Sequence, residues 1–424
     1  HNGRTLLMQK RFCMKSAFEI FTSKQTETHY WPLIRDFKMI SWLKLSIYFL
    51  IGFFYTQSNI FAGELRHPFQ GIRNLGMGNV GVASSHDENA LIYNPAGLAA
   101  VDDMIVSITA DIEYNPKGSE LVKDIISPDG LGTPENTIKK YAGETIHLRI
   151  QPLYENNVSI PLKLVVPFGN LAFGLLHSAE RTIDISVASS GTTFDEMDRN
   201  DKLTSVGFGI SFDRGRWLVG MTREQYTRCD LSNNKKSIQS TSLLDGCSKG
   251  TGSTYKFGVQ KRLSTFPYLR MTSGFAVRNF GGLKFNSDNG TFPIEQNPEY
   301  DIGISFMPFD NIFFKNIYEI NIKDFTKQNT EESYCLKNKK SSGCNSNRLH
   351  IGAEFGFWPF NTSSSAIALR FGSNQGNQTI GFELNPLIFF KALTLQYAEY
   401  TIIKGDTLGE IKEKRKVFQI NLGF

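Results

Sequence analysis

The chain has 424 residues and a formal net charge of +5, and aromatic residues make up 12% of it, including 34 phenylalanines. Such a weak, dispersed charge gives no indication of a nucleic-acid partner. The mean hydropathy of −0.25 excludes a bundle of membrane helices but not a membrane β-barrel, because the lumen of such a barrel is polar.

The front of the chain predicts an export segment. Residues 1–38 show no sustained periodicity, and we expect them to lie upstream of the true start and to be unstructured. Lys44 then precedes an apolar run over 45–55, and Ala62 offers a small residue at a cleavage position. The run is well short of the ~20 residues that span a membrane. We therefore expect a signal peptide over 39–62.

The stretch 71–101 is rich in small residues and has no strand alternation. Gly76, Gly78 and Gly81 permit close backbone approach, and Asn94-Pro95-Ala96-Gly97-Leu98 combines a rigid proline with a permissive glycine. The three glycines also fit a dinucleotide-binding pattern, but that site needs a preceding buried strand and a βαβ rhythm, which the sequence lacks. The stretch instead predicts a segment folded tightly inside a cavity.

From residue 103 onward, apolar and polar residues alternate with period two. Val206, Phe208 and Ile210, for example, alternate with glycine and serine. Counting such segments predicts about fourteen strands, an even number that is usual for bacterial barrels. The predicted strands are 103–114, 158–166, 170–187, 203–213, 216–228, 251–262, 267–279, 299–308, 313–325, 347–358, 364–373, 377–386, 392–403 and 413–424.

The connections predict a barrel with two different ends. Long, polar connections follow the odd-numbered strands and short turns follow the even-numbered ones, and only the short connection 374–376 breaks this rule. Outer-membrane barrels show the same difference between their ends, with the long loops extracellular. Four cysteines form two close pairs in these connections, so we predict the disulfides Cys229–Cys247 and Cys335–Cys344. No metal is expected, because C-x-x-C units and histidines between the paired cysteines are lacking. The long connections are 115–157, 188–202, 229–250, 280–298, 326–346 and 404–412.

Alternation alone does not distinguish a membrane barrel from a soluble stack of antiparallel strands, since inverting the two faces leaves the pattern unchanged. The export segment, aromatic residues near strand ends and the terminal Phe424 favour the membrane barrel. An aromatic last residue on an alternating strand resembles the recognition signal of the outer-membrane barrel assembly machinery. We therefore expect the protein in the outer membrane of a Gram-negative-type bacterium.

In this context the glycine-rich stretch resembles the N-terminal hatch of the FadL/TodX family of outer-membrane hydrophobic-compound transporters. The match runs from Leu75-Gly76-Met77-Gly78 through Val82-Ala83 and Asp87 to Asn94-Pro95-Ala96-Gly97-Leu98. The resemblance implies an all-β fold, with a hatch over 63–102 plugging a transmembrane barrel over 103–424. It also implies uptake of long-chain fatty acids or other hydrophobic molecules with lateral release through the wall. PorV-type barrels, which are partners in protein secretion, share nearly the same motif, and a diffusion porin is a third hypothesis.

A ligand-capture surface is predicted in the connection 280–298, where aromatic residues lie in polar surroundings. A carboxylate ligand would also need a cation there, such as Lys284 or Arg278. The alternative is that these aromatics pack the loop or touch lipid. The candidate residues are Phe280, Leu283, Lys284, Phe285 and Phe292.

Charged residues on the predicted lumen face are expected to pair across plug and wall, because buried charges need partners. The alternative is that they line a water path. They are Asp111, Glu113, Lys256, Arg270, Glu319, Lys323, His350, Glu354, Arg370 and Glu383.

The sequence contains neither a G-x-S-x-G nor an H-E-x-x-H motif, and its histidines are scattered. We therefore expect no enzyme activity and no cofactor. The expected partners are a hydrophobic small molecule or fatty acid, outer-membrane lipid and lipopolysaccharide, and the barrel assembly machinery. We expect no nucleic acid, and the protein is predicted to be a monomer.

Overall fold

The structure, a computed structural model, describes residues 69–126, 139–151, 162–237, 247–263, 267–287, 293, 295–326, 348–359, 365–386, 393–406 and 409–423. The described helices are α1 (Ile72–Gly76), α2 (Ala90–Tyr93) and α3 (Pro116–Ile126), with 3-10 helices at Pro95–Ala100 and Pro267–Leu269. Among the described residues, no helix is long and apolar enough to cross a membrane. The strands are β1 (Ile105–Tyr114), β2 (Thr145–Gln151), β3 (Leu162–Phe168), β4 (Leu171–Val187), β5 (Thr193–Phe212), β6 (Trp217–Ser237), β7 (Ser248–Arg262), β8 (Thr272–Phe280), β9 (Phe285–Ser287), β10 (Glu299–Asp310), β11 (Phe314–Ile322), β12 (Leu349–Pro359), β13 (Ser365–Asn374), β14 (Asn377–Leu384), β15 (Leu393–Asp406) and β16 (Gly409–Gly423).

These strands form one closed antiparallel barrel. Successive strands pair in order from β4 to β16, apart from β9, which pairs only with β7. The ring closes between β1 and β16, with Ser107 opposite Gly423 and Tyr114 opposite Lys416. β2 and β3 share one position, since each pairs with β1 and with β4. Sixteen strands, without β9 and with β2 and β3 counted once, give the fourteen predicted positions.

The wall is apolar outside and polar inside. On β5, Val206 and Phe208 are 54% and 42% exposed, whereas Ser205 is fully buried. On β16, Ile420 is 52% exposed and Gln419 is buried. Period-two alternation puts these two sets on opposite faces of each strand, and a continuous exposed apolar surface is stable when lipid covers it. The predicted orientation, with apolar side chains toward lipid and polar ones toward the lumen, is confirmed.

The ends of several strands differ from the prediction. β5 begins at Thr193, so the connection 188–202, predicted as long, is reduced to 188–192. Residues 193–202 of β5 were not predicted as strand because they are charged and lack apolar–polar alternation. Their charges pair with neighbouring strands, as in Arg181–Asp198 and Arg199–Asp230.

The predicted connection 115–157 contains both α3 and β2, and the strand predicted over 158–166 begins only at Leu162. The start of α3 has local causes. Pro116 is its first residue, where a missing N–H is not needed, and the side chain of Asn115 accepts a hydrogen bond from the backbone N–H of Gly118 at 2.7 Å.

A disulfide joins Cys229 of β6 to Cys247, with Cα atoms 5.5 Å apart, so this predicted pair is confirmed. It links β6 to the start of β7 across one long connection. Several other predictions lie outside the described residues: the signal peptide, the Cys335–Cys344 pair, Phe292 and Phe424.

Candidate functional site

The described part of the hatch, residues 69–101, lies inside the barrel. Nearly all of its residues are buried. Its helix α1 contacts β13–β16, and its 3-10 helix contacts β3–β7. A segment that touches strands on opposite sides of a closed barrel lies across its lumen.

Glycines on the inner face of the wall allow the hatch backbone to lie directly against the strands. A Cβ atom at Gly220 would be 2.2 Å from the carbonyl oxygen of Pro95, and one at Gly372 would be 2.1 Å from the backbone nitrogen of Gly78. Only a residue without a side chain fits at such positions. The other wall glycines that approach the hatch are Gly174, Gly207, Gly209, Gly258, Gly274, Gly303, Gly352 and Gly381.

Polar side chains of the wall satisfy the hatch backbone. Lys256 donates to the carbonyl oxygen of Ile92 at 3.0 Å. The Nδ1 atom of His350 lies 2.8 Å from the carbonyl oxygen of Gly78. The side-chain oxygen of Asn321 accepts from two successive hatch N–H groups, those of Gly81 and Val82. Residues 69–101 of the hatch form no strand ladder, so these side chains supply the partners that buried backbone groups require.

The Asn-Pro-Ala-Gly motif has a structural explanation. The side chain of Asn94 accepts from the N–H of Ala96 at 3.1 Å and donates to the carbonyl oxygen of Val82 at 2.6 Å, which ties two turns of the hatch together. Pro95 opens the 3-10 helix, and a Cβ on Gly97 would be 1.8 Å from the carbonyl oxygen of Ser85. All predicted hatch residues are buried: Gly76, Met77, Gly78, Ala83, Asn94, Pro95, Ala96, Gly97 and Leu98.

One ion-pair network anchors α1 to the wall. Arg73 is 2% exposed, and its guanidinium binds both carboxylate oxygens of Glu354 on β12, at 2.8 and 3.3 Å. Asp87, within the hatch, lies 3.5 Å from the same guanidinium. Arg370 also binds Glu354, at 2.7 Å, and pairs with Glu383. Pairing of lumen charges across plug and wall is therefore confirmed for this network.

Most of the other predicted lumen charges are also buried and paired with inward-facing groups. Glu319 accepts from the N–H of Ala83 at 2.7 Å, and Lys256 pairs with Glu224 at 2.7 Å. Arg270 was predicted wrongly. It lies in the connection before β8, its side chain is 57% exposed, and it pairs with Asp310. Period-two counting fails there because the chain makes a 3-10 turn at Pro267–Leu269.

An apolar cluster, called the lumen cluster below, fills one side of the lumen. It joins the hatch to inward-facing side chains of β3–β6 and to two residues of the connection after β8. Its members are Phe69, Ala90, Leu91, Ile92, Tyr93, Leu98, Val101, Val165, Ala172, Leu176, Leu203, Tyr226, Leu283 and Phe285, with Ile105 packed against them. The wall members of this cluster were not predicted from the sequence. The available signal was an apolar residue at an otherwise polar inward position, such as Leu203 between Asp201 and Ser205.

Beside this cluster, the described ladder along β1 is interrupted between β2 and β3. Along β1, the partner of Gln151 is Asp111 and the partner of Leu162 is Ile108, so the ladder has room for two residues between them. The chain has the ten residues 152–161 between the same two points. The second strand position is therefore not one continuous strand. On the neighbouring strand β4, the interruption lies opposite Ser178–Glu180, which begin two residues after Leu176 in the chain.

Comparisons with known proteins address the fold. No protein-family model matches the sequence, and no curated protein matches it. The solved deltaS2S3 mutant of the TodX monoaromatic hydrocarbon channel superposes with a TM-score of 0.50 at 11% identity, covering 83% of this chain and 98% of that one. The Ralstonia pickettii toluene transporter TbuX and the P. putida toluene transporter TodX give TM-scores of 0.44 and 0.47 at 13% and 11% identity, each over 84% of this chain and 98% of the other. The chain has the FadL/TodX barrel fold.

Within this FadL/TodX fold, the predicted capture residues do not form one surface. Leu283 and Phe285 are buried in the lumen cluster, whereas Phe280 is 52% exposed on the outer face, where its ring packs edge-on against Phe257 at 5.0 Å. Lys284 is exposed. Phe280 is thus separated from Leu283 and Phe285, because β8 ends there and the next residues turn inward.

The arginines near the buried part of the lumen are engaged by carboxylates. Arg278 binds Glu299 at 2.9 Å and Asp301 at 2.8 Å. The guanidinium of Arg228 lies 5.1 Å from the ring centre of Phe285 and binds Asp201 at 2.7 Å. Arg278 is therefore neutralised by wall carboxylates and does not present the uncompensated cation that a carboxylate ligand would need.

The hatch of this barrel is expected to loosen in acid through His86. Burial, together with the nearby positive charge of Arg262, lowers the pKa of His86 to about 4. A released hatch would have the ordinary histidine pKa of about 6.5 and would take up a proton that the docked hatch does not hold. Docking should therefore weaken as the pH falls from about 6.5 to 4. We expect His86→Gln, which can still bond Gln260, to flatten this part of the stability profile.

The measurement is unfolding in lipid vesicles at several pH values for the parent and His86→Gln proteins. Their difference isolates His86 from carboxylates that titrate in the same range. A difference that does not change between pH 7 and 4 would contradict this prediction.

Proposed function

We propose that this barrel lies in a Gram-negative outer membrane and takes up hydrophobic small molecules. The observation that carries the proposal is the lumen cluster, which runs from the connection after β8 along β4–β6 to the hatch. A hydrophobic molecule moving along it would exchange water for apolar side chains. The structural neighbour at a TM-score of 0.50 is named as a monoaromatic hydrocarbon channel, which agrees with this chemistry. No catalytic step is part of the proposal.

The exit route in this proposal is lateral, through the interruption between β2 and β3. The lumen cluster reaches this part of the wall through Leu176 on β4 and Val165 on β3. The backbone N–H of Phe69 binds Glu180 at 3.2 Å, so the beginning of the described hatch lies at the same level. An opening here would release a ligand sideways into the apolar membrane.

The proposed ligands are uncharged compounds rather than fatty acids. Arg228 and Arg278 lie near the buried part of the connection 280–298, and both already bind carboxylates. A fatty-acid carboxylate that bound Arg228 or Arg278 would have to displace Asp201, Glu299 or Asp301, each of which would then be buried without its partner. A neutral hydrocarbon needs no such exchange.

Uptake of labelled toluene and labelled oleate in a host lacking its own hydrophobic-compound transporter tests the proposal. We expect the protein to increase toluene uptake more than oleate uptake. Leu176→Trp should reduce toluene uptake to the level of the host alone, because the inward indole fills the route. Leu175→Trp is the matched control, since Leu175 is the adjacent, outward residue and tryptophan is tolerated against lipid.

A second variant tests lateral release. Replacing 152–161 by two residues would allow β2 and β3 to join in one ladder, and we expect it to abolish uptake while leaving the barrel folded. Unchanged uptake in this variant would refute the lateral route. Failure of the parent protein to move either compound would refute transport itself and favour a secretion-partner barrel, whereas passage of small polar solutes would favour a porin.

A further inference from the structure

We propose that the outward face of β16 binds the phosphate groups of lipid A in the surrounding outer leaflet. The site consists of Lys412, Lys414 and Lys416, called the lysine ladder below. Alternate residues of a strand share one face, and Phe418, Ile420 and Leu422 continue the same face as exposed apolar residues. The three lysines therefore stand in one outward row above the apolar band of this strand, over roughly 13 Å.

Aromatic rings mark the upper edge of the band directly below the ladder. Phe418 stacks with Tyr114 of β1 at 6.2 Å and contacts Tyr397 of β15 at 4.7 Å between ring centres. Tyr114 is also the ladder partner of Lys416. Aromatic girdles of membrane barrels lie at the level of the lipid headgroups. The lysine ladder, beginning one row higher, is thus at the level of headgroup phosphates.

The end of the barrel that carries the ladder decides which leaflet it meets. Tyr114 is the last residue of β1, at the end where α3 follows and where the disulfide Cys229–Cys247 lies. The opposite end has the tight turns, such as 213–216. Long connections face the outside in outer-membrane barrels, so the ladder faces the outer leaflet, where lipid A carries phosphates at both ends of its disaccharide.

The charge of the site is net positive and local. Glu399 on β15 lies 2.5 Å from the ammonium group of Lys414 and 3.8 Å from that of Lys416, so these two lysines share one carboxylate. The side chains of Lys414 and Lys416 remain 58% and 43% exposed. By contrast, the described outward-facing residues of β12, β13 and β14 are uncharged: Leu349, Ile351, Ala353, Phe355, Phe357, Ile367, Leu369, Phe371, Ser373, Gln378, Ile380, Phe382 and Leu384.

Binding of bisphosphorylated lipid A to the full-length protein in detergent, counted by native mass spectrometry, tests this assignment. The ladder variant Lys412→Gln/Lys414→Gln/Lys416→Gln should bind at least about tenfold more weakly, given that a lysine near an anionic surface contributes roughly 1 kcal/mol. The control Lys123→Gln/Lys139→Gln/Lys249→Gln makes the same charge change at exposed lysines outside the ladder and should bind as the parent does.

The opposite response is expected from Glu399→Gln, which removes the competing carboxylate while leaving an acceptor for the hydroxyl of Tyr397, now 3.0 Å from Glu399. This variant should bind lipid A more tightly, which misfolding would not produce. Lipid A without phosphates should bind no better to the parent than to the ladder variant, and free inorganic phosphate should not displace the lipid. Equal lipid A binding by the parent and ladder variants, or equal binding of phosphate-free lipid A by the parent, would overturn the assignment.

Discussion

Replacing Gly220 by valine is expected to force the hatch away from the wall. A Cβ at this position would lie 2.2 Å from the oxygen and 2.3 Å from the carbon of the Pro95 carbonyl, and 2.5 Å from the nitrogen of Ala96. These are backbone atoms at the start of a 3-10 helix, so a rotamer change cannot relieve the overlap. Overpacking of a well-filled interior costs about 1–3 kcal/mol, and a clash between two backbones belongs at the upper end of that range.

Two measurements separate the possible responses to Gly220→Val. If the hatch remains docked, the free energy of unfolding in lipid vesicles should fall by about 3 kcal/mol. If the hatch leaves, stability of the barrel should change less, while conductance in planar bilayers and protease cleavage within 69–101 should both rise. A variant that shows none of these changes would contradict the close approach of hatch and wall.

The matched control is Val219→Leu, on the adjacent outward residue of the same strand. A lipid-facing side chain can grow without touching the hatch, so its effect should stay within about 0.5 kcal/mol. Gly372→Val gives an independent repeat on β13, because a Cβ there would be 2.1 Å from the backbone nitrogen of Gly78. The same response from two strands on different sides of the lumen would show that the hatch, and not one strand, is the element affected.

Removing Arg73 is expected to cost about 3–5 kcal/mol, the usual range for breaking a buried ion pair. Arg73→Met retains the length of the side chain but loses both contacts to Glu354 and the one to Asp87. Glu354 keeps Arg370 at 2.7 Å and Lys315 at 3.8 Å, so its own charge stays compensated. The loss should therefore be at the lower end of the range and should appear mainly as increased protease access to α1.

Removal of the carboxylate should have the larger effect. Glu354→Gln leaves Arg73, Arg370 and Lys315 close together and buried with less negative charge to balance them. The double variant Arg73→Met/Glu354→Gln should be less destabilised than the sum of the two single variants, and a double-mutant cycle in vesicles measures that coupling.

The exposed pair Arg216–Asp213 provides the control for this cycle. Its side chains are 55% and 43% exposed, so Arg216→Met should change stability by no more than about 1 kcal/mol. A comparable loss at Arg73 and at Arg216 would mean that the buried network does not hold the hatch.

The structure explains why some residues were predictable and others were not. Inward and outward faces follow from alternation within one strand, which is local information, so Val206 and Phe208 could be assigned to the lipid face. Charged strand ends lack that alternation, so residues 193–202 of β5 were predicted as a connection and not as strand. In the connection 280–298, the turn of the chain after Phe280 places Phe285 inside the barrel and leaves Phe280 on the outer face. Alternation within a strand does not predict where such a turn occurs.

The sequence by itself determined the number of strand positions, the facing of their side chains and one disulfide. Each of these follows from a local period or the spacing of two residues. Only the tertiary structure decided that wall glycines meet the hatch backbone, that Arg73 reaches Glu354 and that Arg278 is already neutralised. It also decided that the described ladder along β1 breaks between β2 and β3 beside an apolar cluster. These features join residues from distant parts of the chain, and their contacts depend on strand register and barrel closure, which alternation within single strands does not specify.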